Sequence, residues 1–345
     1  MPLSAVSGQP RAVDALRGAL SKGSIHHAYL FGGPEGVGKE LTAVGFAQAL
    51  LCQEAKGEGC GKCTVCQRIE RRNHPDVTWI MPEDELVSRG LAGRSDFDHT
   101  PSREVKVEQI RQLQERLSYR ALEGRYKVAI IASAEQMNEK AQNAFLKTLE
   151  EPSPQTVIIL IASGVDQLLP TIRSRCSKVH FGPLPESFVA AKVKAARKLD
   201  DETAQLVAVM SGGSLARAME LDVEGLSGRR ELIEAFEGAK ATDARTILRF
   251  AEAYGATRED AEVTLQLLEL WTRDLAVAKA GGTHLANRDL SKLANDTVAR
   301  LSDVDIHRRS RLLGEMAFIM DDRNASPRLQ MEKLLIEMKR PEARA

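Results

Sequence analysis

Five short apolar runs rich in β-branched or aromatic residues alternate with helical patterns in the first half of the chain. Strands separated by amphipathic helices are typical of a parallel sheet, because each helix returns the chain to the start of the next strand. We predict strands at AYLFG (28–32), VTWIM (77–81), KVAIIA (127–132), TVIILIA (156–162) and KVHF (178–181). The pattern therefore predicts an α/β module, a parallel sheet with helices on both faces.

Two segments between these runs have the spacing of amphipathic helices. Apolar residues recur every three or four positions at 109–117 and at 141–149. The acidic, glycine-containing stretch at 82–102 has no clear period. We interpret that stretch as a loop on the surface.

The pattern changes after Gly182-Pro183-Leu184-Pro185, where the β-branched runs end. We place the end of the α/β domain (1–182) there, and predict a small helical domain at 183–222 and an all-α domain at 223–345. Helices are expected at 187–197, at 201–210 and from Leu215, after a Ser-Gly-Gly-Ser break. The all-α domain contains an apolar stripe, interpreted as a buried helix face, at Val263, Leu267, Trp271 and Leu275.

The composition is that of an ordinary soluble protein. A chain of 345 residues exceeds the usual size of a single core, so two or three domains are expected, and 43% hydrophobic with 28% charged residues excludes a disordered or membrane class. The first residues lack a basic stretch followed by an apolar one, and the longest strongly apolar run (157–162) is too short to cross a bilayer. We expect a cytoplasmic protein without membrane contact.

Residues 33–40, GPEGVGKE, have the spacing and the context of a phosphate-binding loop, between a strand and a helix that starts near Lys39. Gly33, Gly36 and Gly38 would let backbone N–H groups surround phosphate oxygens, and the Lys39 ammonium would reach the terminal phosphates. The alternative is a strand-turn-helix that merely retains its glycines.

The position after Lys39 differs from the motif. A Ser or Thr hydroxyl normally binds magnesium there, whereas this chain has Glu40. Repulsion between this carboxylate and a triphosphate costs on the order of a few kcal/mol unless Glu40 turns away. We therefore expect weak or absent Mg-ATP binding by a degenerate loop.

The second acidic motif of a P-loop ATPase is also missing. An acid at the end of another strand normally holds magnesium, and a neighbouring Glu polarises the attacking water. Ala132 and Ser133 stand at these positions, and Glu135 comes two residues too late. The two differences affect the same step, so we expect no intrinsic ATPase activity.

Four of the five cysteines lie within 15 residues, as Cys52, Cys60, Cys63 and Cys66. The C-x₂-C-x₂-C spacing can present adjacent sulfurs to one tetrahedral zinc ion, and in a cytosolic protein such a cluster favours metal over disulfides. We predict a structural Cys₄ zinc module at 52–66 without an open coordination position. Redox or catalytic cysteines are the alternative, and the reserve ligands are His74 and Cys176.

Several boxes of this sequence resemble those of bacterial clamp-loader subunits of the AAA+ class, the loaders of DNA polymerase III. The resemblance covers roughly the first 180 residues and is weaker beyond them. Besides the phosphate loop, the boxes are Val6-Ser7-Gly8-Gln9, HAYLF (27–31), His74-Pro75-Asp76, VEQIR (107–111), NAFLKTLEEP (143–152) and LPTIRSRC (169–176).

The resemblance implies a set of roles and partners. Family members assemble with motor (gamma/tau) and delta subunits, open the sliding clamp and place it on primer-template DNA. They have a zinc module at this place, a helical lid and a collar of C-terminal helices.

The resemblance also implies roles for single residues. Arg175 would act in trans as an arginine finger on ATP bound by the neighbouring subunit; the alternative is an ordinary surface ion pair. Arg217 and Ser163 match sensor positions.

The missing acids favour a non-hydrolysing stator within this family. One alternative is an active motor-type ATPase of the gamma/tau kind. Another is a free zinc-dependent DNA-binding protein. Against the latter, Lys plus Arg and Asp plus Glu both number 48, so the chain has no net charge, and aromatic residues make up 4%.

Overall fold

The computed structural model describes residues 2–223, 228–239, 243–320 and 325–339. These residues group into two compact units. The first contains the chain up to Val189 together with Gly212–Arg217, and the second contains Ala190–Ser211 and the chain from Ala218. Each unit is described separately below.

The described residues of the first unit contain five strands, which form one parallel sheet in the order β2-β3-β4-β1-β5. The strands are β1 (Ala28–Gly32), β2 (Val77–Ile80), β3 (Lys127–Ile131), β4 (Thr156–Ala162) and β5 (Ser177–His180). All five predicted strands are confirmed, with ends that differ by at most one residue. β1 lies between β4 and β5, so its end is enclosed by the ends of two neighbours.

Helices cover both faces of this sheet, as the sequence predicted. They are α1 (Pro10–Ser21), α2 (Lys39–Leu51), α3 (Thr64–Glu70), α4 (Glu83–Ser88), α5 (Val107–Ser118), α6 (Glu139–Glu150) and α7 (Pro170–Arg175). On one face Leu30, Leu160 and Ile131 lie side by side and belong to the same buried cluster as Leu113 of α5 and Phe145 of α6.

Aromatic side chains pack together on the opposite face of the sheet. Tyr29 meets Phe46 of α2 edge to face with ring centroids 5.1 Å apart, and Phe31 lies 5.3 Å from Phe181. Because the central strands are buried on both faces, their sequences are continuous apolar runs instead of alternating patterns.

The interpretation of 82–102 as a loop is wrong for its first part, which forms α4. Three acidic residues, Glu83, Asp84 and Glu85, occupy the first turn, where they interact favourably with the helix dipole. A helix of six residues is too short to show a periodic pattern, which explains why the sequence did not reveal it.

The His74-Pro75-Asp76 box orders the segment that leads into β3. The buried Asp76 carboxylate accepts hydrogen bonds from the backbone N–H groups of Leu122, Glu123 and Gly124 at 2.6–2.8 Å. Burial opposes the charge of Asp76, but these three donors outweigh it, and the pKa of Asp76 is lowered. One side chain thus fixes three backbone groups that would otherwise need other partners.

The chain after residue 182 is helical wherever the structure describes it. Its helices are α8 (Glu186–Arg197), α9 (Asp201–Met210), α10 (Leu215–Glu220), α11 (Arg229–Gly238), α12 (Ala244–Tyr254), α13 (Arg258–Lys279), α14 (Ser291–Val298), α15 (Asp303–Met320) and α16 (Pro327–Lys339). The first turns of α8 and α10 belong to the first unit. None of the described helices is both long and apolar enough to cross a lipid bilayer.

The apolar stripe of α13 is a buried helix face, as predicted, at three of its four residues, whereas Val263 is only partly buried. Leu267, Trp271 and Leu275 are almost fully buried. The Trp271 indole donates to Glu237 at 2.8 Å, and Arg309 of α15 donates to the same carboxylate at 2.6 Å. The division into domains at 183–222 and 223–345 stays a prediction, and its second boundary adjoins 224–227, which lie outside the described residues.

We expect Asp76→Asn to lower the free energy of unfolding of the first unit by about 2 to 4 kcal/mol, because an amide replaces the charged acceptor of three hydrogen bonds. The midpoint of thermal unfolding would fall by roughly 5–10 °C. The folded-state pKa of Asp76 is lowered, so its contribution is fully present above about pH 4 and is lost as pH falls through that pKa.

The matched control is Asp84→Asn, because Asp84 is 41% exposed and its nearest cation, on Arg103, is 3.8 Å away. Thermal unfolding followed by circular dichroism at pH 7 and at low pH compares the two variants. Equal effects of the two substitutions at pH 7 would contradict the role of Asp76.

Candidate functional site

The phosphate-type loop follows β1 and ends at Gly38, which is the N-cap of α2 with φ +98°. Two glycines are required by close packing. A Cβ on Gly33 would lie 2.0 Å from the carbonyl oxygen of Phe181, and one on Gly36 would lie 2.2 Å from the Ser214 hydroxyl. The loop is therefore enclosed by the end of β5 on one side and by the 212–217 segment on the other, where Leu215 N–H also donates to the Gly36 carbonyl at 3.0 Å.

Lys39 is buried and its ammonium is saturated by groups of the chain itself. It donates to the carbonyl oxygens of Gly33 at 2.5 Å and Pro34 at 2.6 Å, and to the Ser163 hydroxyl at 3.0 Å. Burial lowers the pKa of Lys39, against the opposing charges of Glu135 and Glu35. An ammonium has three N–H donors, and all three have partners here.

Ser163 and Glu135 come together beside Lys39. The Glu135 carboxylate accepts the backbone N–H of Ser163 at 2.8 Å, while the Ser163 hydroxyl accepts from Lys39. Glu135 is therefore an acid that faces Lys39 of the loop. It does not occupy the position of the ATPase motif, because it comes two residues too late in the sequence.

Glu40 turns to two arginines that the sequence did not indicate as site residues. Its carboxylate accepts from Arg72 and, at 2.6 Å, from Arg89. Arg72 follows the C-terminus of α3 with φ +59°, and its guanidinium stacks 4.5 Å above the Trp79 ring. Arg89 ends α4 and pairs with Glu85 as well, and these carboxylates raise its pKa against the effect of burial. The Glu40 charge is thus compensated within the chain.

The second diverged position belongs to the same network. The Ser133 hydroxyl donates to Glu85 at 2.8 Å, and Glu85 pairs with Arg89, which pairs with Glu40. Ala132 is buried at the end of β3 and offers no ligand atom. The two positions that appeared independent in sequence are connected in space by Arg89 and Glu85.

The side chains present do not fit a magnesium ion at this loop. Magnesium prefers carboxylate, hydroxyl and water oxygens in an octahedral arrangement. Here the Glu40 carboxylate is bound by guanidinium groups, the Ser133 hydroxyl is bonded to Glu85, and Ala132 is apolar. Guanidinium cations beside the carboxylate would repel a divalent cation.

Gln9 is a further residue of the site that sequence reasoning missed, although it lies in the Val6-Ser7-Gly8-Gln9 box. Its buried side chain amide donates to the carbonyl oxygens of Val37 in the loop at 3.2 Å and of Gly182 after β5 at 2.7 Å. The available signal was a glutamine just before an N1 proline, but its two partners lie 28 and 173 positions away in the chain.

The four clustered cysteines form a compact group that could hold one metal ion. All four sulfurs lie within 4.8 Å of one another, with Cys52 and Cys63 4.0 Å apart and Cys60 and Cys66 3.9 Å apart. Four sulfurs at 2.3 Å from a tetrahedral zinc ion are separated by about 3.8 Å. The donor set and its spacing therefore fit zinc.

Two elements position these thiols. Cys52 is the C-cap of α2, Cys63 is the N-cap of α3, and Cys66 lies in the first turn of α3. Burial opposes ionisation of Cys52, but N–H donors and neighbouring thiols outweigh it and lower its pKa to about 7, whereas burial raises the pKa of Cys63 and raises the pKa of Cys66 to about 12. A thiol that ionises near neutral pH is a suitable metal ligand.

The two reserve ligands lie outside this cluster. His74 is buried and its Nδ1 accepts the backbone N–H of Asp76 at 3.2 Å. Cys176 is part of the core between the sheet and α7, where burial raises the pKa of its thiol to about 12. Neither belongs to the group of four thiols.

Arg175 is the last residue of α7 and is 36% exposed. Its guanidinium donates to Glu150 of α6 at 2.7 Å and to the Thr171 carbonyl at 3.0 Å. Arg175 is thus held at the surface by a weak ion pair.

Arg217 is exposed in the 212–217 segment, and its backbone N–H donates to the Ser214 hydroxyl at 3.2 Å.

A family model that matches more than half of the chain shows its family. The family described as "DNA polymerase III, delta subunit" matches residues 8–185. The chain is 35% identical over 231 residues to DNA polymerase III subunit delta' of Bacillus subtilis, covering 66% of this chain and 64% of that protein. It is 37% identical over 218 residues to subunit delta' of Pseudomonas aeruginosa, covering 62% of this chain and 60% of that protein.

Relatives named DNA polymerase III subunit tau, gamma or tau/gamma also match the chain. DNA polymerase III subunit tau/gamma of Haemophilus influenzae is 36% identical over 187 residues, covering 54% of this chain and 24% of that protein. The alignments to the two delta' relatives span about three fifths of those proteins' length. A solved gamma-subunit-related protein of Thermotoga maritima aligns with 95% of this chain and 98% of its own at 18% identity and a TM-score of 0.43.

We expect the isolated chain to show no steady ATP hydrolysis in the presence of magnesium, because Glu40, Ala132 and Ser133 supply no magnesium ligands. Release of phosphate from the purified chain measures this. The matched control is Lys39→Ala, since any turnover that both chains share comes from a contaminant. Turnover of about one per second that Lys39→Ala abolishes would contradict the prediction.

Proposed function

Because the chain belongs to the family described as DNA polymerase III, delta subunit, we propose that it is a delta-prime-type stator of a bacterial clamp loader. In this role it assembles in the cytoplasm with gamma/tau motor subunits and delta, and the complex places the sliding clamp on primer-template DNA. The chain itself hydrolyses no ATP, but works within the polymerase III holoenzyme, a DNA-directed DNA polymerase.

One observation carries the non-hydrolysing part of this proposal. Both positions that should bind magnesium and activate water belong to a network of ion pairs and hydrogen bonds, from Glu40 through Arg89 and Glu85 to Ser133. An active ATPase needs these positions free to hold the metal and to orient water. This argues against the motor-type alternative, although the tau/gamma relatives are equally similar where they align.

Arg175 is the proposed arginine finger for ATP on the neighbouring subunit. A guanidinium can neutralise charge that develops on a transferred phosphoryl group. Its pair with Glu150 is exposed on both sides, at 36% and 50%, and such pairs contribute about 0–1 kcal/mol. A triphosphate presented by a neighbour can therefore replace Glu150 at little cost, so the observed ion pair is compatible with the role in trans.

The proposed metal of the cysteine cluster is zinc in a structural role. Four thiolates leave no coordination position for water, so the ion would stabilise the 52–66 module and not catalyse a reaction. The free zinc-dependent DNA-binding protein is disfavoured by a net charge of zero. Salt-sensitive binding of duplex DNA by the isolated chain would support that alternative.

We expect Arg175→Ala to lower the ATPase rate of the reassembled clamp loader at least about twofold, because one ATP site loses its arginine while the others keep theirs. Arg175→Lys should also lower it, since an ammonium lacks the planar guanidinium fork. Size-exclusion chromatography checks assembly, and ATPase rates are then compared.

The control for this experiment is Arg173→Ala in the same helix, because Arg173 also forms a surface ion pair, with Asp166 at 2.7 Å. This variant should keep the wild-type rate. If a loader that contains Arg175→Ala hydrolyses ATP at the wild-type rate, the arginine-finger role is excluded.

We expect about one zinc ion per chain in freshly purified protein, and less than about half an equivalent in Cys60→Ser/Cys63→Ser, because two of four thiolate ligands are lost. Cys176→Ser is the control and should retain zinc, since Cys176 lies outside the cluster. Elemental analysis measures the metal. Less than half an equivalent in the wild-type chain would count against zinc.

A further inference from the structure

Two guanidinium groups from different parts of the chain converge on one carboxylate directly beside the phosphate-type loop. Arg72 comes from the turn after α3 and Arg89 from the end of α4, and both donate to Glu40 in the first turn of α2. Bidentate recognition of an oxyanion by guanidinium groups is the geometry that also suits phosphate.

Arg72 is held firmly in this position. Its φ of +59° is uncommon for a residue with a side chain, its N–H donates to the Ile69 carbonyl at 3.0 Å, and its guanidinium stacks on Trp79. The Arg72 side chain is 19% exposed and that of Glu40 30%, so the pair is partly shielded from water. A shielded cation is a stronger anion site than an exposed one.

Lys39 cannot be the main attraction for a phosphate in this arrangement, because Gly33, Pro34 and Ser163 already accept its three N–H groups. A ligand would have to displace these partners. The arginines are different, since the one partner that they share is the Glu40 side chain, which can rotate away, and Arg89 then keeps Glu85 as its other partner.

We propose that Arg72 and Arg89 form an anion site that replaces the divalent cation of this loop. The Glu40 carboxylate is its resident anion, and the terminal phosphates of a nucleoside triphosphate without magnesium are the ligand that competes with it. Arg72 and Arg89 are then the residues that make the loop independent of metal, and Glu40 weakens binding in the wild-type chain by competing with the phosphates.

The test measures binding of a fluorescently labelled ATP to the full chain, in EDTA and in magnesium. Glu40→Gln keeps the size of the side chain and removes its charge. It should bind the nucleotide at least about tenfold more tightly than wild type in EDTA, because the carboxylate that occupies Arg72 and Arg89 no longer competes with the phosphates. Magnesium should not improve this binding by more than about twofold. The triple variant Glu40→Gln/Arg72→Gln/Arg89→Gln should lose the gain.

The matched control is Glu58→Gln, which removes a carboxylate paired with Arg17 in the same unit, exposed at 43% and 38%, and should leave binding unchanged. The proposal is overturned if Glu40→Gln gains nothing in EDTA, if its gain requires magnesium, or if the gain persists in the triple variant.

A second measurement tests the proposed anion site if Glu40→Gln does not fold. Inorganic tripolyphosphate in EDTA should raise the unfolding temperature of the wild-type chain more than that of Arg72→Gln/Arg89→Gln. Equal shifts would overturn the proposal. Both measurements use the isolated chain, whereas the role of Arg175 is tested by ATP hydrolysis in the assembled loader, so either idea can fail without the other.

Discussion

The parallel pairing around β1 is the constraint on which the candidate site depends. Because all described strands of the sheet run in one direction, their carboxyl ends meet at the same edge. Gly32 pairs with Ala162 of β4 and with His180 of β5, which places the loop after β1 between Ser163 and the Phe181-Gly182 segment. Three contacts of the loop follow from that register: Lys39 with Ser163, Gly33 with Phe181, and Gln9 with Gly182.

Compensation of charge is a second feature of this edge of the sheet. Lys39 and Glu40 both have partners inside the chain: Lys39 has carbonyl and hydroxyl acceptors, and Glu40 has two guanidinium groups. The expected repulsion between Glu40 and a triphosphate is therefore smaller than the sequence suggested. The loss of magnesium ligands remains, and it is now traced to a network that includes Ser133.

The cysteine cluster and this network share a structural element. Helix α3 carries Cys63 and Cys66 at its start and is followed by Arg72, while α2 carries Glu40 at its start and Cys52 at its end. A metal ion bound by the four thiols would connect the two helices at one end, and the Arg72–Glu40 pair connects them at the other. The orientation of Arg72 thus depends on the same packing of α2 and α3 that gathers the thiols.

The sequence by itself determined the strands, the helical second half, the loop glycines, Lys39 and the set of four cysteines. These features depend on local periodicity, on strand-loop-helix order or on close spacing, which are properties of neighbouring residues. Helix α4 was missed because six residues show no period. Arg72, Arg89, Glu85 and Gln9 were missed because each acts on a residue or loop far away in the chain, and nothing in their own surroundings indicates that partner. Tertiary structure alone decided that Glu40 faces two arginines, because an ion pair depends on where the folded chain brings distant charges together.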